Sequence, residues 1–451
     1  METLLIKNAL RIATMNDARE EIAGGDIYVE GNVIKQVGKG LKVKADRVLD
    51  AADCVVFPGF VNTHHHLYQT LPRNLPAVQD HKLFDWLLYL YEVWRKITPE
   101  CVNVSAQVGL GELLLTGCTT SSDHFYVFPR GISPELIDRE IEGARAVGVR
   151  FHACRGSMSR GKSKGGLPPD DVVQTEDVIL KDCERLVKAY HDRAPFAMTR
   201  VALAPCSPFS VTTELLALTA RMAKEWDVRT HTHLAETLDE EEFCLKLHKK
   251  RPLDYMESVG WLEGRSWFAH CVHMNEEESR RMGRTRTGVA HCPTSNLRLG
   301  SGIAPARMYL QHKVPLGLGV DGSASNDSSD MLAEVRQAML VARVKSGVDS
   351  MPARDALWVA TRGGAEVLGR DDIGSLQAGK AADFSLFDVS GLDYAGALSD
   401  PVAAVVFCGA GHRTKATVVN GKIVVENGRL TLVDEGDLAR RANRLAQELL
   451  R

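Results

Sequence analysis

Several histidines in this chain are spaced in a way that suits a metal centre. The most local signal is the segment 58–66, which ends in three consecutive histidines. On an extended backbone alternate side chains share a face, so His64 and His66 would point the same way and His65 the opposite way. Two imidazoles on one face are suitable ligands for a divalent transition metal. Taken alone, three adjacent histidines could equally be core residues.

Further histidines and acids fall at the ends of other apolar, β-rich runs. They are His231, His233 and Glu236 after one run, His270 and His291 after the next two, and Asp321 after the last. Chance would rarely place so many metal-binding and acid–base groups at successive run ends. We therefore interpret them as parts of one metal site.

The elements that would position these residues alternate between residues 57 and 370. Eight apolar runs can be counted, at 55–66, 119–125, 149–153, 201–205, 228–234, 267–272, 288–292 and 316–320. Helical patterns separate or follow them, for example at 99–115, 135–146, 215–224, 276–282 and 331–346. Eight βα units predict an α/β fold with a closed (β/α)8 TIM-type barrel, whose chemistry lies at the carboxyl ends of the strands.

Both chain ends have the shorter alternation that is typical of hairpins. Near the carboxyl terminus, Asn420-Gly421 separates two runs of β-branched residues, which is a strong signal for a two-residue hairpin turn. We therefore expect residues 1–56 and 371–451 to form a small β-sandwich domain, with a terminal helix, and residues 57–370 to form the barrel.

Composition excludes several function classes. The chain has 451 residues, 44% of them apolar, and a net charge of −3, without the basic clusters that nucleic-acid binding requires. No apolar run is long enough to cross a membrane. Lys7 and Arg11 interrupt the apolar start and no small-residue cleavage site follows, which indicates a cytoplasmic protein. The 10 cysteines are single and show no CxxC pair.

Together the motifs resemble the amidohydrolase superfamily over essentially the whole chain. The HxH motif of that family matches His64 and His66, and its strand-five histidine with a glutamate three residues later matches His233 and Glu236. The strand-six histidine matches His270 and the strand-eight aspartate matches Asp321. The segment 374–383 is also similar to the family's return from barrel to β domain.

The resemblance implies one divalent metal ion. In binuclear members a carboxylated lysine on the fourth strand bridges two metals, whereas this strand ends in Ala204-Pro205-Cys206 without a lysine. The implied ligands are His64, His66, His233 and Asp321. Three imidazoles and a carboxylate suit zinc best, with iron(II) as the alternative.

The same resemblance implies the catalytic roles. The metal would activate a water molecule, and Asp321 would take a proton from it. Glu236 would protonate a ring nitrogen of the substrate, and His270 would hydrogen-bond the attacking oxygen or the developing charge. His231 should point inward one layer deeper, where we expect it to pack rather than to ligate.

The Glu236 motif is similar to that of the aminohydrolase branch, which deaminates nitrogen heterocycles. The implied reaction converts a purine-like ring, 8-oxoguanine first among them, into its oxo product and ammonia. Alternatives are removal of an amine or chloride from a triazine, or deamination of guanine or isoxanthopterin. Members of this branch are commonly dimers or larger, so a homo-oligomer is expected.

Three residues are candidates for contact with a flat ring. Gln69 offers donors and an acceptor, Trp86 could stack on the ring, and Cys206 could contact an exocyclic oxygen. Core packing for Trp86 and an inert buried thiol for Cys206 are the alternatives. The segments 74–82 and 160–166 are expected to be loops near the barrel mouth.

Overall fold

A computed structural model describes residues 2–409, 411 and 413–451. Within these residues the strands, numbered in chain order, are β1 (Thr3–Ala13), β2 (Glu21–Glu30), β3 (Val33–Lys39), β4 (Arg47–Asp50), β5 (Cys54–Pro58), β6 (Phe60–Asn62), β7 (Cys118–Phe125), β8 (Arg150–Ser157), β9 (Thr199–Pro205), β10 (Arg229–Leu234), β11 (Ser266–His270), β12 (Gly288–His291), β13 (Leu316–Leu318), β14 (Phe384–Asp388), β15 (Ala416–Val419), β16 (Lys422–Glu426) and β17 (Arg429–Leu430).

The α-helices of the same residues are α1 (Leu83–Trp94), α2 (Pro99–Leu115), α3 (Leu136–Val147), α4 (Glu176–Tyr190), α5 (Thr213–Trp226), α6 (Leu238–His248), α7 (Pro252–Ser258), α8 (Glu276–Thr285), α9 (Pro293–Arg298), α10 (Ala306–Gln311), α11 (Ser323–Asn326), α12 (Met331–Ser346), α13 (Ala353–Trp358), α14 (Gly364–Val367), α15 (Pro401–Cys408) and α16 (Glu435–Leu450). None of them is long and apolar enough to cross a lipid bilayer.

Strands β6 to β13 close into the eight-stranded parallel barrel that the sequence predicts. Each predicted run overlaps one barrel strand, and the helices predicted at 99–115 and 331–346 coincide with α2 and α12. Burial on both faces explains the nearly continuous apolar character of these runs.

The first run divides where one barrel strand was expected. Its first part, β5, pairs with β1 and β14 in the sheet of the chain ends, and only β6 enters the barrel. Gly59 lies between them, and a Cβ there would come within 2.0 Å of the Thr119 side chain. Glycine therefore allows the chain to pass from one sheet to the other at this close approach.

The chain ends build one mixed sheet in the order β17-β16-β15-β14-β5-β1-β2-β3, with β4 paired to β1. Its core is shared by strands of both ends, as the buried Ile6, Ile27, Phe384 and Val418 show. The predicted hairpin is confirmed, because β15 and β16 pair around Asn420 and Gly421, which have φ of 51° and 80°. The domain boundaries at 56 and 370 stay predictions.

A buried ion pair joins the sheet to the amino-terminal end of the barrel. Arg150, at the start of β8, donates two hydrogen bonds to the Asp383 carboxylate, at 2.9 and 3.0 Å. Both side chains are almost fully buried. Asp383 also accepts the backbone N–H of Asn420, at 2.6 Å. The Asp383 carboxylate therefore holds together the start of β8 in the barrel and the segment where the chain returns to the sheet.

Replacing Asp383 with alanine should be strongly destabilising, because it leaves the Arg150 guanidinium charged and buried without its partner. Loss of one member of such a pair costs about 3–5 kcal/mol. Chemical denaturation of wild type and Asp383→Ala measures the change. The matched control is Asp349→Ala, since Asp349 is 77% exposed in its pair with Arg307 and should contribute about 0.5 kcal/mol or less. Equal effects of the two substitutions would show that Asp383 does not hold the junction.

Candidate active site

The carboxyl ends of four barrel strands bring the predicted site residues together. His64 and His66 follow β6, His233 lies on β10, His270 ends β11, and Asp321 follows β13. All five are buried. His64, His65 and His66 lie just beyond the end of β6, but their side chains still alternate as expected. His64 and His66 face Asp321, whereas Nε2 of His65 points to the other side and contacts Ser329.

The hydrogen bonds of the imidazoles fix where their lone pairs point. Nδ1 of His66 lies 2.7 Å from the carbonyl oxygen of His124, and Nδ1 of His233 lies 2.6 Å from that of Cys206. A carbonyl can only accept, so each Nδ1 carries the proton and each Nε2 holds a lone pair. These two Nε2 atoms are 3.0 Å apart. Two facing acceptors at this distance repel each other unless a proton or a metal ion lies between them.

His64 reaches the same arrangement through His231. Nδ1 of His231 lies 2.9 Å from the carbonyl oxygen of Trp267, so His231 presents its Nε2 as an acceptor. Nδ1 of His64 lies 2.7 Å from that atom and donates to it. The Nε2 lone pair of His64 is thereby directed at the site. His231 packs one layer below, as expected, and in addition orients the ring of His64.

Asp321 completes the set of converging acceptors. Its Oδ1 lies 3.3 Å from Nε2 of both His64 and His66. Its Oδ2 accepts hydrogen bonds from the hydroxyls of Ser295, at 2.6 Å, and Ser325, at 3.2 Å. Three imidazole lone pairs and one carboxylate oxygen therefore face a common point, and this donor set fits a divalent ion such as zinc.

The backbone at these strand ends adopts conformations that non-glycine residues seldom take. Ala235, His270, Cys271 and Asp321 all have positive φ, between 48° and 71°. Each such residue costs about 1–3 kcal/mol and such residues cluster at functional sites. At Ala235 the consequence is direct: the turn brings Glu236 into the same pocket as His233, although three residues along a regular strand would face opposite sides.

Glu236 and His270 lie next to each other beside the candidate metal ligands. Nε2 of His270 lies 3.5 Å from Oε2 of Glu236 and 3.9 Å from Oδ2 of Asp321. Nδ1 of His270 contacts Oδ1 of Asn296 at 2.9 Å, so the ring is held in one orientation. Ser301 donates to Oε1 of Glu236 at 3.3 Å.

The surroundings of Glu236 shift its pKa upward, in the direction that favours the protonated carboxyl. Burial raises the pKa of Glu236, and the nearby Asp321 carboxylate raises it further. The charge of His270 lowers it in part. Burial alone would lower the pKa of His270, but the carboxylates of Glu236 and Asp321 raise it overall. A protonated carboxyl can donate a hydrogen bond or a proton to a ring nitrogen.

The backbone that carries Glu236 is held by a second buried acid. Glu240, on α6, accepts the N–H groups of Ala235 and Glu236, at 2.8 and 3.1 Å. Sequence patterns did not indicate this contact, nor those of Ser295, Asn296 and Ser301. Each depends on which loops meet above the barrel. A polar side chain four residues after Glu236 was the only available signal for Glu240.

All three candidate ring contacts line the pocket above the candidate metal ligands. Gln69, Trp86 and Cys206 surround it together with His66, His233, Glu236, His270 and Asp321. Oε1 of Gln69 and Nε1 of Trp86 are buried without a hydrogen-bond partner among the described residues. Burial raises the pKa of the Cys206 thiol to about 12, so it stays protonated. Aromatic and apolar side chains that the sequence did not single out complete the wall: Leu83, Leu87, Tyr91, Tyr126 and Phe209.

The two predicted loops are short irregular segments with a turn of 3-10 helix each. In 74–82 the turn is Pro76–Val78, and in 160–166 it is Lys162–Lys164. The first segment is tied to the carboxyl end of the barrel, since the N–H of Asn74 donates to Asp327 at 3.2 Å and Arg298 donates to the carbonyl of Gln79 at 2.7 Å.

A buried acid beneath the Asp321 loop gives a pH-dependent stability. Glu334, on α12, accepts from Nδ2 of Asn326 at 2.6 Å, and burial raises its pKa from the ordinary value of 4.5 to about 8. The folded protein then holds a proton that the unfolded chain has lost. Between about pH 4.5 and 8 this group therefore makes the stability fall as the pH rises.

Glu334→Gln should remove that dependence, because the amide does not titrate. We expect the melting temperature of the variant, relative to wild type, to rise steadily as the pH increases from about 5 to about 9. Differential scanning calorimetry across this range measures it, with Glu225→Gln, at an exposed position of α5, as the control. Parallel profiles for Glu334→Gln and wild type would contradict the prediction.

Comparison with known proteins gives a consistent set of similarities. Residues 55–424 match the model of the amidohydrolase family. The chain is 45% identical to 8-oxoguanine deaminase of Pseudomonas aeruginosa, over 100% of both chains. It is 35% identical to hydroxydechloroatrazine ethylaminohydrolase of Pseudomonas sp. strain ADP, over 98% of this chain and 95% of that protein.

Among solved structures, the chain is similar to atrazine chlorohydrolase of Arthrobacter aurescens TC1 complexed with zinc. The TM-score is 0.95 and the identity 36%, over 98% of this chain and 100% of that chain. The similarity therefore covers the barrel and the sheet together.

Proposed function

The chain belongs to the amidohydrolase family, and on that basis we propose that it is a metal-dependent deaminase that hydrolyses 8-oxoguanine to urate and ammonia. The family and its deaminase relatives make it a hydrolase of carbon–nitrogen bonds. The observation that carries the choice of substrate is the 45% identity to 8-oxoguanine deaminase along the full length of both chains. The pocket supports it, since a planar purine can be enclosed by the aromatic wall and Gln69.

We propose one divalent ion, zinc, held by His64, His66, His233 and Asp321. The support is the convergence of the Nε2 lone pairs on the Asp321 carboxylate. A similar chain was solved in complex with zinc. When bound, the ion acts as a Lewis acid that makes water nucleophilic at neutral pH. A homo-oligomer, expected from the branch, remains part of this proposal.

The side chains of the pocket account for the proton movements of the reaction. Asp321 takes one proton from water as the oxygen attacks the ring carbon that bears the amino group. Glu236 gives its proton to the adjacent ring nitrogen, and His270 hydrogen-bonds the attacking oxygen. The C–N bond to the amine then breaks. The amine leaves as ammonia with the proton from Asp321, and Glu236 recovers a proton from the new hydroxyl as it becomes a carbonyl.

Gln69 and Trp86 would bind and orient the ring. The amide oxygen of Gln69 lies against Gly322, where a Cβ would come within 1.9 Å. Glycine at this position leaves the amide in the pocket, free to hydrogen-bond a purine edge. Cys206, with a protonated thiol, would contact the ring weakly.

A second candidate substrate class is favoured by the structural similarity. Triazines are also planar rings with a leaving group on an amidine-like carbon, and the TM-score of 0.95 is to a triazine-hydrolysing enzyme. The metal ligands and Glu236 would serve either ring. Only the walls of the pocket discriminate between them.

A parallel substrate panel tests the proposal. The zinc-loaded protein should hydrolyse 8-oxoguanine with a kcat/KM of about 10⁴ M⁻¹s⁻¹ or more. Guanine, isoxanthopterin and hydroxylated triazine amines should react at least about tenfold more slowly, a difference of about 1.4 kcal/mol in the transition state. Faster turnover of a triazine or pterin would refute the purine assignment and leave the metal site standing.

A further inference from the structure

Arginines gather at the amino-terminal end of the barrel, opposite the candidate active site. Arg200 is the second residue of β9, Arg229 is the first of β10, and Arg265 immediately precedes β11. Since the strands are parallel, these starts share one end of the barrel. Arg229 lies four residues before His233, about 13 Å along the strand at roughly 3.3 Å per residue.

The arginines open onto a cavity of about 420 Å³. Arg193 and His191 line it as well, while Val201, Leu368 and Gly369 form apolar parts of its wall. A water molecule takes about 30 Å³ in the liquid, so the cavity has room for an anion larger than a single tetrahedral group. The cavity is separate in space from the pocket that holds Glu236 and His270.

The positive charge in this cavity is only partly balanced by the protein, through Glu263 and through Asp227, which also lines the cavity. Arg265 has two carboxylate partners, Glu263 at 3.0 Å and Asp227 at 3.5 Å. Within the described part of the chain, neither Arg200 nor Arg229 has a carboxylate at ion-pair distance.

Arg200 and Arg229 instead hydrogen-bond only backbone carbonyls, of Gly369 at 3.2 Å and Gly264 at 3.0 Å respectively. The Nε atom of each is buried and has no acceptor among the described residues. A guanidinium has five N–H donors in a planar fork, so most of the donors of these two residues are not used by the contacts above. Both side chains are partly buried, with only the Nε atom fully enclosed, and their unused terminal N–H groups are available to an anion in the cavity.

The titration of these groups agrees with that geometry. Burial lowers the pKa of Arg229 to about 10, and the charges of Arg265 and Arg200 contribute to the decrease. Burial also lowers the pKa of Arg200, together with the charge of Arg370. Burial is the largest cause of both shifts; nearby arginines add to each, and the carboxylates of Asp371 and Asp372 act in the opposite direction on Arg200.

We propose that this cavity is a binding site for a diphosphate-bearing anion, held by the guanidinium groups of Arg200 and Arg229 at the end of the barrel opposite the active site. Arginine forks match phosphate oxygens in a bidentate manner, and two of them facing one cavity suit two linked phosphates. Arg193, which is exposed at the rim, would add a third positive charge. The diphosphate could be free or part of a nucleotide.

Calorimetric titration of the metal-loaded full chain tests the proposal. Inorganic pyrophosphate, ADP, orthophosphate and sulfate are compared at matched ionic strength, on wild type, Arg200→Gln/Arg229→Gln and the exposed control Arg441→Gln of α16. We expect saturable binding of pyrophosphate by wild type and by Arg441→Gln, and at least about tenfold weaker binding by the double variant. Tighter binding of ADP than of pyrophosphate would identify a nucleotide as the source of the diphosphate.

Comparing wild type with the double variant also controls for binding of pyrophosphate to a metal ion. Pyrophosphate can bind a metal ion at the active site, but wild type and the double variant share that site, so the difference between them reports the arginine cavity alone. The deaminase activity of the double variant should be unchanged, which checks its fold. Should the double variant fail to fold, Arg193→Gln at the rim provides the test, with binding about threefold weaker than wild type. Equal affinities of wild type and variants, or no saturable binding by wild type, would overturn the proposal.

Discussion

Glutamine in place of Glu236 is expected to lower kcat/KM for the substrate by about 10²–10⁴-fold, the range of a general acid–base group. The amide fills the same space and keeps the contact with Ser301, but it cannot deliver a proton to the ring nitrogen. The proposed metal ligands are untouched, so the metal-to-protein ratio should stay at that of wild type. Steady-state kinetics and elemental analysis of one preparation measure both quantities.

The matched control is Glu242→Gln, which removes a carboxylate from an exposed position of the following helix, α6. Its kcat/KM should equal that of wild type. A Glu236→Gln variant that kept most of its activity would show that another group protonates the ring. Loss of metal from Glu236→Gln would show instead that Glu236 supports the ligands and that its place in the proton path is wrong.

Asparagine in place of His233 is expected to abolish both metal retention and turnover. Nε2 of His233 faces Nε2 of His66 at 3.0 Å, and removing one of the two lone pairs breaks the site that the cation requires. The ion supplies several kcal/mol of transition-state stabilisation, so kcat/KM should fall by about 10³-fold or more. Elemental analysis before and after addition of zinc separates loss of affinity from loss of catalysis.

His81→Asn is the control for this substitution, because His81 is exposed and lies outside the pocket. It should retain the metal and the activity. Chelation of the wild-type metal should reproduce the loss seen in His233→Asn, and zinc should restore only the wild type. Full activity in the chelated wild type would contradict a metal-dependent reaction.

The barrel was predictable because its signal is distributed along the chain. Each strand is buried on both faces and gives an apolar run, and α2 and α12 begin and end where their sequences indicate. The division at Gly59 was not predicted, although Pro58-Gly59 is a local turn signal between β5 and β6. The approach of Thr119, far away in sequence, explains why a glycine is needed at this point.

The candidate site divides in the same way. The histidines at the strand ends and Asp321 could be found from the sequence. Each follows an apolar run, and in a barrel of this type the carboxyl ends of the strands form the active site. The residues that orient them could not. Ser295 and Asn296 reach Asp321 and His270 from a helix that follows a different strand, and His231 acts through a hydrogen bond to His64. Such contacts depend on tertiary geometry and leave no spacing in the sequence.

The most direct test of the proposed function is a reaction of 8-oxoguanine with the zinc-loaded protein in ¹⁸O-enriched water, with urate and ammonia measured together. Hydrolytic deamination predicts one ammonia for each urate and one ¹⁸O atom in each urate molecule. No urate from 8-oxoguanine, or urate without a matching amount of ammonia, would contradict the claim that this chain is an 8-oxoguanine deaminase.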